Sequence, residues 1–110
     1  MGDVMASLDI LGIRPSGEEV RIIAQIGRPH RVESGAEGDD QPGGWACAVE
    51  LTPLYGELPE IRGIDSFHAM WLAASLVLKL LKHFKATGGH LLNDDGSEFP
   101  LDAYAAGLGD

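Results

Sequence analysis

One segment limits what this chain can fold into more than any other. Gly63 to Gly89 reads GIDSFHAMWLAASLVLKLLKHFKATGG, a long and unusually apolar stretch. It predicts a single helix. Asp65 or Ser66 can cap its start, because a short side-chain oxygen accepts from first-turn N–H groups that have no partner inside the helix. Lys79, Lys82, His83 and Lys85 crowd its last turns, where the helix dipole favours positive charge. Gly88 and Gly89 end it, since glycine takes the left-handed conformation at little cost.

The wheel of this helix is lopsided. At about 100° per residue, His68, Ser75, Lys79, Lys82 and Ala86 share a narrow polar stripe. Phe67, Met70, Ala74, Val77, Leu81 and Phe84 lie opposite it. Leu76 and Leu80 widen the apolar arc on one flank, Trp71 and Leu78 on the other. Leu72 falls inside the polar stripe. One side, carrying Met70, Ala74, Val77 and Leu81, is expected to pack on a sheet. The flanks then need either a C-terminal hairpin or another chain to cover them. The interface candidates are Trp71, Leu72, Leu76, Leu78 and His68.

Before the helix the pattern is that of strands. Val4, Ala6, Leu8 and Ile10 alternate with Met5, Ser7 and Asp9, the period of a half-buried strand. Pro15, Ser16 and Gly17 supply a turn. Val20, Ile22, Ala24 and Ile26 then alternate again, so the two segments are expected to pair as a hairpin. Arg31 to Gly44 holds four glycines, a proline and four acids. With little to bury it reads as a mobile acidic loop. Trp45 to Leu51 resumes a strand, with Trp45, Cys47, Val49 and Leu51 on one face and Ala46, Ala48 and Glu50 on the other. Pro53, Gly56 and Pro59 punctuate a turn region, and Ile61 to Ile64 leads into the helix. Beyond the helix, His90 to Leu92 and Phe99 to Leu101 read as short strands around an Asn93–Gly96 turn. Residues 102–110 form a small acidic tail with Tyr104 as its anchor.

The chain of 110 residues reads as one domain, residues 1–110. Charge narrows the partners. There are 17 acidic and 8 basic residues, a net charge of −9. That argues against nucleic acid, where lysine and arginine supply the affinity, and against anionic membranes. It suits a basic protein partner, steered by the long-range field. Self-association has to outweigh the same field. A single cysteine, Cys47, rules out an internal disulfide and fits a reducing, cytoplasmic setting. The N-terminus lacks the pattern of a signal peptide, and the longest apolar run is short of the roughly 20 residues that span a bilayer.

The residues that carry chemistry elsewhere form no constellation. Cys47 has no basic neighbour in sequence to activate it and reads as a small core residue. His30, His68, His83 and His90 lack metal-ligand spacing. Asn93, Asp94, Asp95, Gly96 and Glu98 are too compact for a calcium loop. No Gly-rich phosphate loop or nucleophile elbow occurs. No cofactor, metal or catalytic residue is assigned.

Trp45-Ala46-Cys47, Gly63-Ile64-Asp65-Ser66, Ala69-x-x-Leu72-Ala73-x-x-Leu76 and Phe99-Pro100 come in an order that resembles a family of small bacterial proteins of unknown function. In that family a hairpin and a tryptophan-bearing strand lead through a Gly-x-Asp-Ser/Ala step into one long helix. The resemblance spans about Leu8 to Leu101 and implies a fold without an activity. The expected fold is α+β: an antiparallel sheet of about four to six short strands packed against one long α-helix. The expected function is that of a non-catalytic protein-binding module, an immunity-type or regulatory partner of a basic protein or a homodimer, working through the helix flank and the acids around it. The alternative is a small-molecule binder or enzyme with a pocket between helix and sheet near Trp45, Trp71 and a histidine.

Overall fold

The computed structural model describes residues 3–32 and 44–105. The fold is α+β, with antiparallel strands and one long helix. The first two strands, β1 (Val4–Ile13) and β2 (Glu19–Gly27), form the expected hairpin, with Leu8 opposite Ala24 and Ile10 opposite Ile22. The Pro15–Gly17 turn joins them, and Gly17 sits at φ +94°, where a side chain would be strained. Ile10, Ile22 and Ala24 point into the core.

The strands divide between two sheets rather than one. β3 (His30–Val32), β4 (Gly44–Cys47) and β7 (Ile61–Gly63) make a three-stranded sheet in the order β3-β4-β7. β5 (Val49–Thr52), β6 (Gly56–Glu57) and β8 (His90–Leu92) join the hairpin in a five-stranded sheet ordered β6-β5-β2-β1-β8. Trp45 to Leu51 is therefore not one strand. It breaks at Ala48, opposite the point where Gly27, Arg28 and Pro29 interrupt the partner. Proline has no N–H to continue a ladder, and the Gly27 N–H reaches the Ala48 carbonyl at 2.9 Å. The ribbon bends there and re-aims its side chains. Ala46, expected on the outer face, is buried with Cys47, Val49 and Leu51.

The ends of the Arg31–Gly44 segment, Arg31, Val32 and Gly44, are strand residues of a β3–β4 pair. The rest of that expected loop, 33–43, lies outside the described residues. So do residues 106–110 of the tail.

The long helix is α1 (Ser66–Ala86). Asp65, rather than Ser66, is the cap; its Oδ1 accepts from the His68 N–H at 2.7 Å. His68 returns the favour, its Nδ1 accepting from the Ile64 N–H at 3.1 Å, which puts the ring proton on Nε2. At the other end, Gly88 sits at φ +105° and its N–H donates to Lys85, while Gly89 donates to Phe84. These are the two bonds of a glycine-closed helix end.

The buried face of α1 is Ala69, Ala73, Val77, Leu81 and Phe84. Val77 and Leu81 lie where the sequence places them, but Met70 and Ala74 are only half-buried, and Phe67 is 79% exposed. The helix is rolled toward its small residues. Gly63 of β7 crosses under the first turns, where a Cβ would lie 2.8 Å from the Ala69 Cα. Glycine meeting alanine lets the backbones approach, and that contact turns Phe67 outward.

After β8, the chain makes the expected turn, with Gly96 at φ +88° and Asp95 Oδ1 accepting from the Ser97 N–H and hydroxyl. Arg21 pins this turn to the hairpin, its Nη1 lying 2.9 Å from both Asp9 and Asp94. The return strand expected at Phe99–Leu101 is reduced to a single bridge between Leu92 and Glu98. Pro100 opens a short helix instead, α2 (Leu101–Ala105), because proline suits a first helical turn. Phe99 and Leu101 are buried, and Tyr104 stacks on Phe99 with ring centres 4.9 Å apart.

Candidate interaction face of the long helix

Three large apolar side chains stand in solvent at the N-terminal end of α1. Ile64 is 80% exposed, Phe67 79% and Trp71 43%. Phe67 and Trp71 are one helical turn apart, so they share a ridge. Beside this ridge Trp71, Leu72, Ser75, Leu76 and Lys79 line a pocket of about 180 Å³. Four of these, Leu72, Ser75, Leu76 and Lys79, have the spacing i, i+3, i+4, i+7. That diamond is the hole into which a neighbouring helix inserts a side chain. Ser75 is its floor. It is 5% exposed although it faces away from the core, and its Oγ has no hydrogen-bond partner among the described residues.

The five sequence candidates separate here. Trp71, Leu72 and Leu76 meet at this pocket. Leu72 and Leu76 are half-buried but stand outside the core cluster. Leu78 packs against that cluster, which includes Phe99 and Leu101. His68 is committed to the helix start. Two residues of the face escaped the sequence reading. Phe67 was placed on the core side by its wheel position, and Ile64 precedes the helix, where a wheel assigns no direction.

The electrostatics of the face differ from those of the chain. All three lysines of the chain, Lys79, Lys82 and Lys85, lie on α1, and none of the 17 acids lies between Ser66 and Ala86. Lys85 pairs with Glu98 at 3.3 Å. Lys79 and Lys82 make no ion pair among the described residues. The helix is thus a cationic, apolar element on an acidic protein.

A second cavity, an open cleft of about 330 Å³, lies at the bend of the ribbon and is lined by Asp3, Gly27, Arg28, His30, Ala48 and Glu60. His30 Nε2 and Glu60 Oε2 are 2.8 Å apart, and the carboxylate raises the His30 pKa above its ordinary value. Both side chains are about half exposed, so the pair is solvated rather than held in a desolvated pocket. Cys47 is buried nearby; its Sγ donates to the Gly27 carbonyl at 3.2 Å, and burial pushes the thiol pKa up. A raised thiol is a poor nucleophile. Trp45 packs against the core and lines neither of these two cavities. Among the described residues no His, Cys, Asp and Glu side chains cluster as a metal site, and no helix is long and apolar enough to cross a membrane.

Comparisons with protein-family models, with curated proteins and with solved structures find no match to this chain.

Proposed function

We propose that this protein is a non-catalytic binding module of the regulatory or immunity type, which engages another protein chain through the outer N-terminal half of α1. One observation carries the reading. Ile64, Phe67 and Trp71 stand exposed beside a pocket with the spacing of a helix-packing hole. Exposed aromatics around a partly formed pocket are the usual anchors of protein interfaces. A helix that is apolar on nearly every side is normally enclosed on every side. The charges refine the picture. The net charge of −9 would steer a basic protein toward the molecule as a whole, yet the face itself carries Lys79 and Lys82 and suits an acidic surface.

A photo-crosslinking amino acid at position 67 tests the face in cells. Crosslinks to protein are expected there, and none at the exposed turn residue Ser16. Equal, background-level yields at both positions would refute the reading.

A further inference from the structure

We infer that the chain which covers this face is a second copy of the same protein, its α1 packed antiparallel on the first. The inference rests on the binding face proposed above and names its occupant. The hole over Ser75 admits one apolar side chain from a helix. In a two-fold pair each copy supplies both hole and knob. Leu72 is the knob at hand: half-buried, outside the core cluster and on the rim of the hole.

Seating Leu72 of one copy between Leu72 and Lys79 of the other, in antiparallel order, fixes the remaining levels. Trp71 comes level with Leu76 of the second copy. Lys82 comes level with Asp65, the acid that caps the second copy's helix. The central turns of each helix, Trp71 to Leu76, then cover each other, and Lys82 of each copy meets the Asp65 cap of the other. Antiparallel order also opposes the two helix dipoles favourably. The serine floor fits this packing, since only a small residue leaves room for a knob. A helical serine under an apolar side chain can turn its hydroxyl onto the carbonyl four residues back, here that of Trp71.

The test uses the intact native chain. Asp65 and Lys82 lie about 25 Å apart along one helix, too far for a zero-length link within a copy. A carbodiimide, which joins a carboxylate directly to an amine, is applied to a mixture of ¹⁴N- and ¹⁵N-labelled protein. The expected result is a dimer in sedimentation equilibrium and an Asp65–Lys82 crosslink of mixed isotope composition. Leu72→Asp and Ser75→Leu should each raise the dissociation constant at least tenfold with an unchanged far-UV circular dichroism spectrum. A chain that stays monomeric at millimolar concentration overturns the inference, as does a dimer without the Asp65–Lys82 link or one indifferent to both substitutions. Persistent crosslinks from position 67 in a monomeric chain would overturn only the self-packing and leave the binding face standing.

Discussion

Leu81→Ala measures how α1 is held on the sheets. Leu81 is 0% exposed and belongs to the core cluster with Val77, Phe84, Ile10 and Leu91. The substitution removes three carbons. At about 0.8 kcal/mol per buried methylene the transfer loss is roughly 2.4 kcal/mol. A cavity remains because packed neighbours relax only partly, and measured losses for such changes run from about 2 to 5 kcal/mol. Full enclosure places the expectation at about 3–4 kcal/mol. For a domain of this size that lowers the melting midpoint by about 13–17 °C. Urea titration followed by far-UV circular dichroism reads it, with the denaturant slope unchanged if the unfolded state is unaffected. Leu72→Ala is the internal control: the same atoms leave the same helix, but from a half-solvated site outside the core. On dilute protein it should cost under about 1 kcal/mol. A Leu81→Ala loss below about 1 kcal/mol, or equal losses at the two positions, would refute the assignment of the buried face.

Gly63→Ala should destabilise the fold by more than the ordinary helix or strand penalty, because its Cβ meets the backbone of His68 and Ala69, which cannot swing aside; an unchanged urea midpoint would show that β7 and α1 do not touch there. In an NMR titration His30 should change charge at a higher pH than an ordinary histidine, and Glu60→Gln should bring it back down. Since the folded pKa is raised, the pair's contribution to stability is fully present below the unfolded value near 6.5 and is lost as pH rises through the folded value. Half-exposure of both side chains keeps that contribution small, and a His30 midpoint unmoved by Glu60→Gln would remove the pair from the account.

Much of this protein is written locally. The ends of α1 follow from Asp65, Gly88 and Gly89, because caps are settled by groups within a few residues of each other. The β1–β2 hairpin follows from alternation on either side of Pro15–Gly17. Cys47 likewise reads as a core residue from its neighbours on the strand, and it is buried. The proposed face is half legible: Trp71 and Leu72 stand out against the polar stripe, whereas Phe67 and Ile64 do not.

Tertiary structure decided what periodicity leaves open. An arc as wide as that of α1 has no unique centre, so the wheel cannot say which line of residues meets the sheet. Gly63 and Ala69 settle it, since the helix rolls to where its backbone can approach a strand most closely, and Phe67 turns out as a consequence. The break at Ala48 has the same character. Trp45 to Leu51 alternates like one strand, but its partner carries Pro29, and a ladder ends where either side lacks a donor. Pro100 likewise turned an apolar return into a helical turn over Phe99. The helix roll and the strand break each depend on a contact between two elements, which no period within one element encodes, whereas Pro100 acts on its own neighbours.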